Sequence, residues 1–265
     1  MSVLASTSTL RGRFNGRNAV VTGGANGIGR ACARRLAAEG ATIALLDVDT
    51  EKVASTAAEL ADGGRTALGY SVDVSDPAQV RDAFDDFERR SGRIDVLVNM
   101  AGIFPPIPFD ELTLEDWERI TAVNLDATFI TCKDVLPRMR KHGYGRITTV
   151  SSGTVHLGWG GTAAYIAAKA GVIGLTRVLA REAGPDGITA NVIMPGVIQT
   201  EATMSMGGQE GGPDEATLQG FVAQQCIPRL GQPADVAEAV AYVASEGASF
   251  LTGQTINVGG GFTFL

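Results

Sequence analysis

Tyr165 and Lys169 stand four positions apart within "AYIAAKAGVIGLTRVLAREA", residues 164–183. The periodicity is helical, and residues four apart share one helix face. Around them the segment is apolar or small on almost every side, so neither the phenol nor the ammonium has an evident structural task. A free tyrosine titrates near a pKa of about 10, which leaves little phenolate at neutral pH. A neighbouring ammonium favours the phenolate and lowers that pKa. A phenol brought toward neutrality takes or gives a proton as a general acid or base. The expected chemistry is therefore proton transfer at Tyr165, made more acidic by Lys169. Alone, such a pair is most often an ordinary surface pair, so the rest of the chain must decide.

A second group of residues is suited to phosphate. "TGGANGIG" spaces Gly23, Gly27 and Gly29 as G-x-x-x-G-x-G, between a β-branched run and a helical one. Glycines there let the chain turn tightly, let backbone approach a pyrophosphate, and let the helix pack closely on a sheet. The unpaired N–H groups of the helix then face the phosphates. The next β-branched run, "ATIALLD", ends in Asp47. A carboxylate at that position accepts hydrogen bonds from both hydroxyls of an adenosine ribose and repels a 2′-phosphate. Neither Asn26 nor Val48 supplies a cation for such a phosphate, so NAD is expected over NADP.

The elements that must position these groups alternate along the whole chain. Strands are expected at "NAVVTG", "ATIALLD", "TALGYSVDV", "RIDVLVN", "YGRITTVSS", "GITANVIMPG" and "GQTINVGGG". Between them lie a helix closed by Gly40, a helix with Thr50 as N-cap, and one opened by Ser75, Asp76 and Pro77. A further helix is expected from Thr113 through Trp117 and Asn124 to about Lys141; the Tyr–Lys helix and a shorter one at Asp235–Ser245 follow. Continuously apolar strands alternating with helices pair in parallel, with both sheet faces covered. Right-handed crossovers make this a doubly wound, three-layer α/β fold. One domain is expected over residues 17–265, preceded by a loosely ordered arm, residues 1–16. The polar, glycine-rich stretch 197–225 is read as a substrate lid.

Composition narrows the partners. A net charge of −7 argues against nucleic acid. Cys32, Cys132 and Cys226 are scattered and form no CxxC pair, which suits a reducing compartment. With only His142 and His156 besides, no metal site is expected. The opening residues lack the apolar core of a signal peptide, and no uninterrupted apolar run approaches the roughly 20 residues that span a bilayer. A soluble, cytoplasmic protein without a membrane partner is expected.

"TGGANGIG", "NMAG" at 99–102, Asn124, "SS" before the Tyr–Lys pair, and "PG" followed by Thr200 occur in an order that resembles the short-chain dehydrogenase/reductase family. The likeness runs from about Arg17 to Gly261. It implies one Rossmann-type domain with a mostly parallel seven-stranded sheet, a nicotinamide cofactor, and a homotetramer. Carried over by position, Tyr165 would be the catalytic acid/base, and Lys169 would hold the nicotinamide ribose. Ser152, thirteen residues before the tyrosine, would bond the substrate oxygen, with Ser151 a strand-end residue. Asn124 would anchor a water linking Lys169 to solvent. Gly23, Asn26, Gly27, Ile28 and Gly29 would meet the phosphates, and Asp47 and Val48 the adenosine ribose. Asp73 and Val74 would border the adenine, with Asn99, Ala101 and Gly102 nearby. Pro195, Gly196, Val197, Ile198 and Thr200 would meet the nicotinamide end. Met100 departs from the family, which often has a second asparagine there; the backbone of that turn is expected to make the contacts.

Pocket walls implied by the resemblance read "IFPPIPF", "GTVHLGWGG" and "VIQTEATMSMGG". Phe104, Leu157 and Trp159 make them apolar, and His156 is either a substrate contact or a solvent-facing loop histidine. "FPPIPFDEL" and "FLTGQT" are similar to family members that oxidise aromatic secondary alcohols. A hydrophobic secondary alcohol, aromatic ones included, and its ketone are therefore expected. Two alternatives stand beside this: a 3-oxoacyl-carrier-protein reductase, which would want NADPH and a basic docking patch, and a non-catalytic NAD-sensing scaffold. Retention of Asn124, Ser152, Tyr165 and Lys169 together argues against the scaffold. Ala167, Ala168, Gly171 and Gly174 suggest close helix-to-helix contact between two copies.

Overall fold

The computed structural model describes residues 12–62, 66–205 and 213–264. Seven strands form one parallel sheet: β1 (Asn18–Thr22), β2 (Thr42–Asp47), β3 (Ala67–Ser71), β4 (Val96–Asn99), β5 (Gly145–Val150), β6 (Ile188–Pro195) and β7 (Thr255–Val258). Their order across the sheet is β3-β2-β1-β4-β5-β6-β7. The order reverses between β1 and β4, and the crevice beyond the carboxyl ends of the strands at such a point is where ligands bind in open α/β sheets. Val21 lies opposite Leu45 on one side and Val98 on the other, which fixes the register of the three strands around that crevice.

Helices α1 (Gly27–Ala38), α2 (Thr50–Ala61), α3 (Pro77–Ser91), α4 (Leu114–Thr121), α5 (Ala127–Arg140), α6 (Ala163–Ala183), α7 (Glu201–Met204), α8 (Glu215–Ala223) and α9 (Pro233–Val243) complete the fold. Alternate strand residues face opposite sides of the sheet, so two cores result. Val21, Leu45 and Val98 pack with Cys32 and Leu36 of α1 and Val240 of α9. Val20, Leu46 and Leu97 pack with Phe84 of α3, Val135 of α5 and Leu179 of α6. The expected three-layer architecture is present, and the sheet is parallel throughout.

Local departures have physical causes. Asp49, not Thr50, caps α2, because its carboxylate accepts from the Lys52 N–H at 3.0 Å. Thr50 is instead the first helical residue and pairs with Ser71 across a 2.7 Å hydroxyl contact. The expected helix from Thr113 to Lys141 is interrupted by a π-turn, Ala122–Asp126, between α4 and α5. Residues 12–16 are not loose. Phe14 is buried in the first core, its N–H bonds the Glu39 carbonyl at 3.1 Å, and Arg13 pairs with the buried Glu39 carboxylate. Residues 1–11 of the expected arm lie outside the described residues. The stretch 197–225, read as a lid, holds α7 and α8, and residues 206–212 within it lie outside the described residues. Ala163–Asp186 is long and apolar enough to cross a membrane by length and composition. In this fold it is α6 and its C-terminal turn, laid against β5 and β6.

Candidate active site

The crevice begins at the turn between β1 and α1. Gly23 has φ +62°, and a Cβ there would sit 2.9 Å from the Ala101 backbone. A Cβ at Gly29 would sit 2.0 Å from the Gly23 carbonyl oxygen. Only glycine lets this turn close against itself and against the turn after β4. Asn26 precedes α1 without capping it by its side chain, and no acidic residue occupies the first turn. The leading N–H groups of α1 are thus left for an anion. A Cβ on Gly27 would meet the Thr200 methyl at 3.4 Å, which places the segment after β6 over the glycine turn.

Asp47, at the carboxyl end of β2, is half-buried. One oxygen accepts from the Ala25 N–H at 3.0 Å and the other from the Asp49 N–H at 3.2 Å. Each oxygen keeps a lone pair, so the carboxylate is held in place with capacity for two further donors. Thr22, not anticipated from sequence, orders the turn after β4: its hydroxyl accepts from the N–H groups of Met100 and Ala101 at 3.1 and 3.2 Å. Met100 packs against the first core.

Several expected cofactor residues are committed elsewhere by their side chains. The Asn99 carboxamide accepts from the Thr131 hydroxyl at 2.9 Å and is buried, leaving its backbone for a ligand. Ile198 is buried in the first core and Ile28 packs against it, so these two offer backbone only. Asp73 accepts from the Ser75 N–H and hydroxyl at 2.9 and 2.6 Å; Val74 beside it is buried, whereas Val48 is exposed. Pro195 ends β6, and a Cβ on Gly196 would come within 2.7 Å of Gly259 Cα. The Val197 carbonyl accepts from the Gly231 N–H at 3.1 Å.

Ser152, Tyr165, Lys169 and Asn124 converge at the ends of β4 and β5. Ser151 donates to the Lys169 carbonyl at 2.8 Å, which ties α6 to the end of β5 and makes Ser151 the strand-end residue expected. The Lys169 ammonium is buried and lies 5.8 Å from the centre of the Tyr165 ring. A Cβ on Gly102 would sit 2.7 Å from Asn124 Oδ1 and 3.4 Å from Lys169 Nζ, so amide and ammonium face the same point. The π-turn aims Asn124 there. Its Nδ2 donates to the carbonyls of Ile103 and Ile120 at 2.7 and 2.9 Å, while its buried Oδ1 has no partner. π-Turns recur at functional sites because the extra residue redirects a side chain.

The expected acidification of Tyr165 by Lys169 is not what the site shows. Burial pushes the Tyr165 phenol above its usual value, and a hydrogen bond from Ser152 draws it part of the way back. Burial also pushes the Lys169 ammonium down to about 8. Desolvation is the largest cause of both shifts, and no attraction between the two groups contributes to either.

On the substrate side, Phe104 meets Tyr165 edge-on with ring centres 5.9 Å apart. Trp159 lies 5.5 Å from Phe221 of α8 and 6.3 Å from Phe262 near the C-terminus. Phe221 and Phe262 carry no local signal; only the fold brings them to Trp159. Leu157 and His156 are on the exposed rim of the same loop.

A family model described as enoyl-(acyl carrier protein) reductase matches residues 23–263. The chain is 38% identical over 249 residues to a 3-oxoacyl-[acyl-carrier-protein] reductase of Escherichia coli, covering 94% of this chain and 98% of the relative. The chain belongs to the short-chain dehydrogenase/reductase family. A second member, the D-threitol dehydrogenase of Mycolicibacterium smegmatis, is 37% identical and covers 95% of this chain, with 94% of its own length matched. The crystal structure of a putative gluconate dehydrogenase from Agrobacterium tumefaciens superposes with a TM-score of 0.88 at 32% identity, covering 95% of this chain and 98% of that one. As a short-chain dehydrogenase/reductase the protein is an oxidoreductase acting on CH–OH donors and using a nicotinamide cofactor. That sets aside the non-catalytic scaffold. The glycine cradle, the anchored Asp47 and the unpaired Asn124 Oδ1 fit a dinucleotide laid across the crevice.

Proposed function

We propose that the protein interconverts a hydrophobic, aromatic secondary alcohol and its ketone with NAD(H), using Tyr165 as acid/base. The observation that carries the substrate class is the aromatic wall: Phe104 against Tyr165, and Trp159 between Phe221 and Phe262. NAD is favoured over NADP by the Asp47 carboxylate, fixed by two backbone N–H groups where a 2′-phosphate would have to sit. Arg30 and Arg34, on the adjoining α1, are held by Glu59.

The glycine turn and the first amides of α1 would hold the pyrophosphate, Asp47 the adenosine ribose, and Lys169 with Pro195–Thr200 the nicotinamide half. When bound, the nicotinamide supplies or accepts the hydride. Ser152 donates to the substrate oxygen and orients it. Tyr165 gives its phenolic proton to that oxygen in reduction and withdraws it in oxidation. Asn124 Oδ1 holds a water through which Lys169 exchanges protons with solvent. Because burial keeps the phenol protonated at neutral pH, Tyr165 is loaded as an acid, which suits ketone reduction.

A second reading, 3-oxoacyl-carrier-protein reduction, is favoured by the name of the Escherichia coli relative. One screen separates them: oxidation of NADH and of NADPH with aryl ketones, aliphatic ketones and acetoacetyl thioesters. Faster turnover of aryl ketones with NADH is expected. Turnover confined to acetoacetyl thioesters with NADPH would replace this reading by the second. A cytoplasmic homotetramer completes the proposal. Ala167, Ala170, Gly174 and Val178 leave an exposed small-residue stripe on α6 for a symmetric contact, while Ala168 is buried and Gly171 packs on Leu125.

A further inference from the structure

The Ser152 hydroxyl has one hydrogen and two lone pairs, and the structure accounts for more of them than the mechanism uses. Ser152 precedes a single 3₁₀ turn, Gly153–His156, and caps it: the Thr154 N–H reaches Ser152 Oγ at 3.3 Å. That turn also brings the Thr154 hydroxyl back to 2.8 Å from Ser152 Oγ. Two arrangements are possible. If Ser152 donates to Thr154, its hydrogen is spent inside the turn and only a lone pair faces the substrate. If Thr154 donates, both lone pairs of Ser152 are filled by one residue and its hydrogen must go elsewhere. The neighbouring acceptor is the Tyr165 oxygen, toward which Ser152 donates; a bound substrate carbonyl would be the other. The second arrangement satisfies every group, and successive donors in a chain of hydroxyls strengthen one another.

We infer that Thr154 is a positioning residue: its hydroxyl donates to Ser152 Oγ and thereby makes Ser152 an obligate donor toward the reacting oxygen. This rests on the proposed roles of Ser152 and Tyr165. It accounts for a hydroxyl at position 154, which no expectation from sequence singled out. It also sets a direction for Tyr165, because a donor aimed at the phenol favours the phenolate.

The test uses Thr154→Val, which keeps the backbone N–H and the branched shape, and Thr154→Ser, which keeps the hydroxyl. The first measurement needs no substrate: ultraviolet difference titration of the free protein, with Tyr165→Phe identifying the Tyr165 signal. T154V should raise the Tyr165 pKa above that of the wild type, and T154S should leave it in place. The second is reduction of acetophenone by NADH. T154V should lower kcat about tenfold with the KM for NADH unmoved, and T154S should stay within about twofold of wild type. An unshifted Tyr165 titration in T154V, or an equal shift in T154S, overturns the inference. A wild type inactive on acetophenone overturns the proposed substrate class, while the titration still decides the role of Thr154.

Discussion

Lys169 is a cation in a place that resists cations. It is buried, no carboxylate pairs with it among the described residues, and its pKa falls from 10.5 to about 8. Folding therefore discourages the protonated form, by roughly 3 kcal/mol at pH 7 for a drop of that size. The sign follows from proton counts. Between about 8 and 10.5 the unfolded chain binds more protons at this site than the folded one, so the penalty is complete below that window and disappears above it. Lys169→Met should thus be more stable than wild type in urea at pH 7, by up to about 3 kcal/mol, with the gain fading as pH approaches 10.5, and should lose turnover. A destabilised variant at pH 7 would show that the ammonium has a partner in the fold. Tyr165→Phe should bind NADH as wild type does and lose about 10²–10⁴-fold in kcat. Since burial raises the Tyr165 phenol, alcohol oxidation should accelerate with pH through the alkaline range, where the base form appears. Ketone reduction should hold level near neutrality and then fall; opposite limbs in a stopped-flow pH series would contradict the acid/base role.

At the scale of elements, the strands and the crossover helices were legible because each is an apolar run with its own period. What escaped was set by less than one turn or by distance. A π-turn differs from the α-helix around it by one residue, so nothing in Thr113–Lys141 marks Ala122–Asp126 in advance. Asp49 and Thr50 are both good caps, and only the chain's exit from β2 chooses between them. The meeting of Ser152, Tyr165, Lys169 and Asn124 was readable from order and spacing, but Phe221 and Phe262 were not, since their contact with Trp159 is made by the whole fold. The direction of the Tyr165 shift was missed because burial is not written in a helix's own residues. Gly102→Ala tests the seat made by the π-turn. The added methyl would meet Asn124 Oδ1 at 2.7 Å, so kcat should fall about tenfold while the urea midpoint moves little. A variant with wild-type kcat would remove Asn124 from the mechanism. Asp47→Ser should reduce the preference for NADH over NADPH by at least about tenfold, through loss of the ribose acceptor; unchanged discrimination would relocate that anchor.

For the molecule as a whole, the two ends of the strands have different duties. The carboxyl ends gather the candidate site; the amino ends carry closure. There the guanidinium groups of Arg17 and Arg146 lie over the Tyr144 ring, at 3.8 and 4.3 Å from its centre, and Arg17 bonds Glu246 at 2.7 Å. Phe14 adds a buried ring from ahead of β1, so Phe14→Ala should cost about 3–4 kcal/mol in chemical denaturation with little change in kcat. The order of the sheet has a further consequence. From β1, strands β4, β5, β6 and β7 are laid down outward in the order they leave the ribosome, and the last is a four-residue margin, only partly buried. Behind it, all eight residues of β6 are buried. A message cut short before Thr255 would therefore yield not a slower enzyme but a sticky one, with a long apolar border open to pairing with other chains.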